Sequence, residues 1–226
     1  MLSTGTKNVA FIPVRGGSKS IPLKNIKNFC GKPLVYWTAK AANDCEKISE
    51  VYISTDSEKI SETVKSLNLD KVKIIGRSEK TAKDTASTES AMLEFAEKFE
   101  FDNIVLIQAT SPLLETEDIE GGLEKYLQGN YEALLSVVRQ KRFIWQEIDG
   151  VAVAQNYNPL QRPRRQEWDG FFVENGAFYI TSRVNLLKSK CRISGRIGLY
   201  EMSEKTYFEI DEPSDWRVME QLKSCK

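Results

Sequence analysis

No histidine occurs among the 226 residues. That absence removes Ser-His and Cys-His hydrolytic machinery, His-ligated zinc and any imidazole acid–base step. Cysteine is scarce: Cys30, Cys45, Cys191 and Cys225 show no C-x-x-C spacing and are too few for a disulfide scaffold, so they read as reduced thiols. Charge of one sign is lacking too, because 32 Lys and Arg stand against 32 Asp and Glu. This argues against a nucleic-acid protein held by bulk positive charge, while leaving room for a local basic patch. No run approaches the roughly 18 apolar residues of a membrane helix, and the polar residues 1–7 lack the apolar core of a signal peptide. The expectation is a soluble, cytoplasmic protein. If it is an enzyme, its chemistry runs on carboxylates, cations, backbone amides and a metal ion.

The length suits one α/β domain, with or without an inserted subdomain. Short apolar runs at 8–14 (NVAFIPV), 51–54, 72–75 and 103–107 read as strands, and helical spacing fills the gaps between them. Leu34, Trp37, Thr38 and Ala41 form one helical stripe behind Pro33. Ile60, Thr63, Val64 and Leu67 form a second, opened by a capping box of Thr55 and Glu58. Met92, Phe95, Ala96 and Phe99 form a third. Nearly continuous apolar strands joined by helices predict a parallel sheet covered on both faces. A helix over 116–128 and a strand over 133–138 follow. From Arg139 to Gly170 the composition shifts to Arg, Gln, Asn, Pro and Trp, with a short alternating run at 151–154. This stretch reads as an inserted excursion, a small β-hairpin arm. Strands resume at 171–180, 197–202 and 207–210, and a helix opens at Pro213.

The first strand ends in Arg15-Gly-Gly-Ser-Lys19, followed by Lys24-Asn25. Ligands of open parallel sheets sit outside the carboxyl ends of strands, so this loop occupies the right address. Paired glycines admit an anion close to the backbone, and Arg15, Lys19 and Lys24 can surround it. Neither G-x-G-x-x-G nor G-x-x-x-x-G-K-[ST] is present. Near the other end, Glu209 and Asp211 lie two residues apart on an extended segment, so both carboxylates point the same way and can share one Mg²⁺ site or flank two.

In order along almost the whole chain stand Arg15-Gly-Gly-Ser-Lys19, Gly31-Lys-Pro-Leu34, Ser54-Thr-Asp56, Arg77 with Asp84-Thr-Ala-Ser87, Gln108-Ala-Thr-Ser-Pro112, Arg164-Arg-Gln166, Asn175-Gly-Ala177 and Ile210-Asp211. This ordered set resembles the acylneuraminate cytidylyltransferase (CMP-sialic acid synthetase) family. The resemblance implies a Rossmann-like three-layer α/β/α nucleotidyltransferase fold with a mostly parallel sheet. It also implies a single domain over 1–226 with an inserted dimerisation arm at about 139–170. The implied reaction is Mg²⁺-dependent: the anomeric hydroxyl of a nine-carbon 2-keto sugar acid attacks the α-phosphate of CTP in line, and pyrophosphate leaves. Such a transfer depends on positioning and charge stabilisation and needs no covalent enzyme intermediate.

On that reading Arg15 and Lys24 hold the triphosphate and stabilise the leaving pyrophosphate, and Gly17 and Ser18 offer backbone contacts. Lys19 either joins them or is a solvated edge of the loop. Asn25 lies against the nucleotide. Arg77 has a planar guanidinium suited to the carbonyl oxygen of cytosine, and contacts the base together with Ser87 and Thr88. The competing role of those two hydroxyls is helix capping. The proline that usually follows this arginine is Ser78 here, and Asp84 orders the loop. Gln108, polar after four apolar residues, faces the cleft and meets the sugar acid, while Ser111 reads as a helix start. Asn175 and Tyr179 line the sugar pocket.

Arg165, with Lys141, reaches from the arm into a partner subunit's site. Asp211 and Glu209 ligate Mg²⁺, Glu209 standing where aspartate is usual; the competing role is that Asp211 or Glu212 caps the following helix. The partners implied are CTP, a 2-keto sugar acid and a second copy of the chain, with no nucleic acid and no membrane. Three rivals stand beside this reading: the same transfer to deaminated neuraminate, legionaminate, pseudaminate or 3-deoxy-octulosonate; a dinucleotide-dependent oxidoreductase; and a non-catalytic nucleotide-binding module.

Overall fold

A computed structural model describes residues 5–17, 20–83 and 85–224 of the chain. In chain order the elements begin with β1 (Asn8–Pro13), a 3₁₀ turn (Lys24–Ile26), the short ladder β2 (Asn28–Phe29) and β3 (Lys32–Pro33), and α1 (Leu34–Asp44). They continue with β4 (Glu50–Thr55), α2 (Glu58–Lys65), β5 (Val72–Gly76), α3 (Glu79–Ala82), α4 (Thr88–Lys98), β6 (Asn103–Ile107) and α5 (Thr116–Gln128). Last come β7 (Ala133–Gln140), the hairpin β8 (Trp145–Ile148) and β9 (Val151–Ala154), β10 (Phe171–Ser182), α6 (Arg183–Ser189), β11 (Ile197–Met202) and α7 (Pro213–Ser224).

Seven strands form the central sheet in the order β5-β4-β1-β6-β10-β7-β11. β10 runs antiparallel to both of its neighbours, and the other ladders are parallel. Pleating sends alternate residues of β1 to opposite faces. Ala10, Ile12 and Val14 join the core shared with α1, α2 and α5, while Val9 and Phe11 join the core under α4 and α6. Two buried cores, one on each face, make a three-layer Rossmann-like sandwich. The strand order reverses between β1 and β6, which opens a crevice at their carboxyl ends.

A third apolar cluster decides where the C-terminal segment sits. Trp216 and Met219 of α7 pack with Ile21, Phe29, Leu34, Leu113 and Ile210, and Trp216 meets Phe29 edge-on with ring centroids 5.6 Å apart. Ile210 is thereby held between α7 and the loop after β6. Its backbone N–H donates to the Thr110 carbonyl at 3.2 Å.

Three local expectations need correction. Ser57, not Thr55, is the N-cap of α2: its hydroxyl accepts from the Ile60 N–H, and Thr55 Oγ1 instead accepts from the Ser57 N–H. No strand forms over 207–210, because the preceding 3₁₀ turn (Glu204–Tyr207) directs the chain away from the sheet to α7. Ser111 does not start a helix either; α5 begins at Thr116, where Asp118 Oδ2 accepts from the Glu115 N–H.

Candidate functional site

The crevice at the switch point is a cavity of about 310 Å³, walled by Arg15, Gly17, Lys24, Arg77, Lys83 and Gln108 among others. Asn25, Thr88 and Thr110 line it too. Seven of the residues singled out in the sequence therefore meet in one place: Arg15, Gly17, Lys24, Asn25, Arg77, Thr88 and Gln108. Ser18 and Lys19 lie outside the described residues. Ser87 does not line the cavity; its hydroxyl accepts from the Ser90 N–H at 3.2 Å as the N-cap of α4, so the capping role describes it.

Each wall follows from local chain geometry. β1 delivers Arg15 and the glycine loop, and Val14 still bonds sideways to the Ser54 carbonyl at 2.8 Å. A Cβ on Gly16 would sit 2.9 Å from the Ser57 side chain, so the loop approaches the β4–α2 turn more closely than other residues allow. Asp56 fixes that approach by accepting the Gly16 N–H at 2.9 Å. The residue appears in the Ser54-Thr-Asp56 motif, which carried no role in the sequence reading. Gln108 leaves β6 with its N–H on the Ala177 carbonyl, which aims its amide into the crevice.

Cations dominate the cavity. Burial pushes the Arg77 guanidinium below its ordinary range, and the neighbouring charge of Arg15 pushes the same way, against the pull of Asp56 and Glu94. Its Nε is buried without a hydrogen-bond partner. Two guanidiniums side by side in a half-buried cleft form a site poised for an anion. Lys83, which no motif flagged, adds a further cation from the loop after α3.

At the rim, Lys24 Nζ donates to the Ile210 carbonyl at 2.6 Å and pairs with Asp211 Oδ1 at 3.1 Å. The lysine side chain is 12% exposed and the aspartate 72%. Asp215, in the first turn of α7, reaches back to this segment, its Oδ2 accepting the N–H groups of both Asp211 and Glu212. Glu209 lies beside Asp211; burial first, and the Asp211 charge second, push its carboxyl above the usual range, opposed by Thr110 and Lys24. Thr110 Oγ1 donates to Glu209 Oε2 at 3.4 Å.

The two carboxylates thus carry more negative charge than Lys24 offsets, and hard oxygen donors of this kind suit Mg²⁺, which is commonly bound by one or two carboxylates and substrate phosphates. Among the described residues no cluster of three acidic, cysteine or histidine side chains forms a complete metal cage. The oxygen donors present fit Mg²⁺, which Asp211 and Glu209 would hold together with substrate oxygens.

The remaining expected residues sit elsewhere. Asn175 is fully buried at a bulge in β10, where the register shifts between Glu174 and Tyr179. Its Nδ2 donates to Thr206 Oγ1 at 2.9 Å and to Met202 Sδ at 3.2 Å. The following Gly176 has φ +67° and lies against the Glu209 carboxylate, where any Cβ would collide. The Asn-Gly pair is therefore the floor beneath the acidic pair and not a wall of the cavity. Tyr179 is buried on the α4–α6 face; its hydroxyl donates to Glu174 at 3.0 Å and the Arg192 guanidinium stacks 4.6 Å from its ring centre. Burial, reinforced by the Glu174 charge, pushes its phenol up to about 12. Arg165 lines a separate hollow of about 330 Å³ with Arg139, Lys141, Glu201 and Glu204. Within one chain it does not reach the cleft.

A Rossmann-like sheet with a cationic crevice at its switch point defines a class of α/β nucleotide-site proteins. Residues 9–226 match the model of the cytidylyltransferase family, and the chain belongs to that family. It is 41% identical over 217 residues to N-acylneuraminate cytidylyltransferase B of Danio rerio, covering 94% of this chain and 50% of that protein. N-acylneuraminate cytidylyltransferase of Oncorhynchus mykiss is 40% identical over 94% of this chain and 49% of its own length. The chain thus spans about half the length of the curated relatives it matches. Among solved structures it is similar to a CMP:2-keto-3-deoxy-manno-octonic acid synthetase complexed with CTP, with TM-score 0.72, 18% identity and coverage of 97% and 99% of the two chains. A 4-diphosphocytidyl-2C-methyl-D-erythritol synthase from Anaerococcus prevotii has TM-score 0.72 at 9% identity, with 97% of each chain covered. These two likenesses concern the fold.

Proposed function

We propose that the chain transfers a cytidylyl group from CTP to a sialic-acid-type nine-carbon 2-keto sugar acid, releasing pyrophosphate. The observation that carries this reading is the convergence of Arg15, Lys24, Arg77 and Gln108 on one crevice with Glu209 and Asp211 at its rim. Arg15 and Lys24 hold the triphosphate and offset charge on the departing pyrophosphate, a positioning and electrostatic task that needs no imidazole. Gly17 and Asn25 flank the nucleotide, and Arg77 reads the cytosine carbonyl oxygen with Thr88 nearby. Gln108 orients the sugar acid so that its anomeric hydroxyl stands in line with the α-phosphate. Mg²⁺, when held by Asp211 and Glu209, supplies neutralisation of phosphate charge. The names of the Danio rerio and Oncorhynchus mykiss relatives favour an N-acylneuraminate as acceptor over the other 2-keto sugar acids.

The active form in this reading is a homodimer joined through the arm. The hairpin β8–β9 stands apart as its own two-stranded sheet, and isolated hairpins are marginal in water. Its surroundings expose Trp145 at 50%, Val151 at 63% and Leu160 at 94%. A second copy covers this apolar surface and brings Arg165, with Lys141, toward the neighbouring site. Crossing four nucleoside triphosphates with a panel of 2-keto sugar acids, with and without Mg²⁺, tests the reading by pyrophosphate release. Strict dependence on CTP, Mg²⁺ and one preferred sugar acid is expected. Nucleotide binding without release under every combination would leave a binding module instead.

A further inference from the structure

Arg77 and Lys83 both line the cavity, and they flank the same one-turn helix α3 (Glu79–Ala82). A four-residue helix cannot hold two cations in place by itself, since its backbone makes too few hydrogen bonds to offset the ordering of the chain. Its anchor comes from below. Glu94, on the second turn of α4, sends Oε2 to the Thr81 hydroxyl at 2.6 Å, the Ser78 hydroxyl at 2.8 Å and the Ser78 N–H at 3.4 Å. Its other oxygen accepts from Lys98 at 2.6 Å. The Ser78 hydroxyl also accepts the Thr81 N–H as the helix cap. Thr81 is buried, so the bonds are shielded from water.

We infer that Glu94 is a positioning residue for nucleotide binding: through Ser78 and Thr81 it fixes the α3 turn and thereby sets Arg77 and Lys83 on the cavity wall. The inference rests on the reading of this cavity as the CTP site. The anchor is durable. Burial would raise the Glu94 carboxyl, but the Lys98 ammonium and the Thr81 and Ser78 hydroxyls hold it down at about 2. It stays ionised across the pH range in which an enzyme is assayed.

The test compares four variants of the full chain by calorimetric titration with CTP and by KM for each substrate, with thermal unfolding run alongside. Glu94→Ala removes the acceptor. The pair Ser78→Ala with Thr81→Val removes the donors, keeps the shape of the buried Thr81, and leaves the Glu94 charge in place. The third variant combines all three changes, and Arg77→Ala is the reference. Both the Glu94 variant and the hydroxyl pair should weaken CTP binding roughly tenfold, the worth of hydrogen bonds to a charged acceptor. Their KM for the sugar acid should stay unchanged. The combined variant should lose less than the sum of its two parents, because both remove the two hydroxyl–carboxylate bonds. Wild-type CTP binding in the hydroxyl pair overturns the inference, even if Glu94→Ala is weak or fails to fold, because only the Glu94 charge would then matter. Additive losses in the combined variant overturn it as well. Should Arg77→Ala itself bind CTP normally, the cavity reading falls with it. A weak Arg77 variant beside normal anchor variants removes the anchor alone.

Discussion

Lys24 is tied to Ile210 and Asp211 at once, which makes it the joint between the first loop and the acidic rim. A Lys24→Met variant keeps the stem and loses the charge. Turnover should fall by about 10²–10³-fold, the usual cost of removing one preorganised electrostatic contact, and thermal stability should drop by about 1–3 kcal/mol because the Ile210 carbonyl loses its donor. Asp211→Asn should abolish Mg²⁺-dependent pyrophosphate release with an unchanged circular dichroism spectrum. Normal turnover in that variant would refute the metal role.

At this scale the cations were legible because residue type and loop position together announce an anion site. Asn175 was not, since a sequence motif names a residue without saying which way its side chain turns. The β10 bulge turns this one inward onto Met202 and Thr206. Asp56 and Lys83 escaped for the opposite reason: each works through a contact distant along the chain or through a loop without periodicity.

Among the elements, α1 and α5–α7 supply the frame. Strand and helix ranges such as 103–107, 116–128 and the helix opening at Pro213 were readable from apolar periodicity and flanking breakers. The 207–210 stretch was not. Its alternation mimics a strand, yet Ile210 is claimed by the cluster around Trp216 and not by a ladder. Trp216→Ala should therefore cost about 3–5 kcal/mol of stability. At temperatures where the fold persists, it should also lower turnover more than CTP affinity, because the 209–211 segment loses its support.

α5 carries a separate signal. Burial first, and the Glu117 charge second, raise the Asp118 carboxyl to about 6 from an ordinary 3.8. A proton held up to about pH 6 only in the folded state stabilises below about pH 4, and that contribution is lost as the pH rises through 6. Asp118→Asn, which keeps an oxygen for the Glu115 N–H, should flatten this dependence. It should raise stability at pH 7 by about 1 kcal/mol after allowance for solvent screening, as thermal unfolding at pH 4 and pH 7 would show.

For the whole molecule, a net charge of zero conceals a division of labour, with cations gathered at the crevice and carboxylates at its rim. The layered sheet was legible because each strand is a nearly continuous apolar run between amphipathic helices. The reversal of β10 was not, since strand direction depends on the route taken by the inserted arm. In the proposed homodimer, Val151→Glu combined with Leu160→Glu should leave the central sheet intact and shift the assembly from dimer to monomer in light scattering, with turnover falling in step. A dimer that survives both changes would move the interface away from the arm.

The central claim is that this crevice joins a cytidylyl group to a 2-keto sugar acid. Its most direct test is mass spectrometry with phosphorus NMR on the chain incubated with CTP, N-acetylneuraminate and Mg²⁺. The account predicts one CMP-linked sugar for every pyrophosphate released, and neither product when Mg²⁺ is chelated. CTP that binds but remains intact with N-acetylneuraminate and with every other 2-keto sugar acid offered would contradict it.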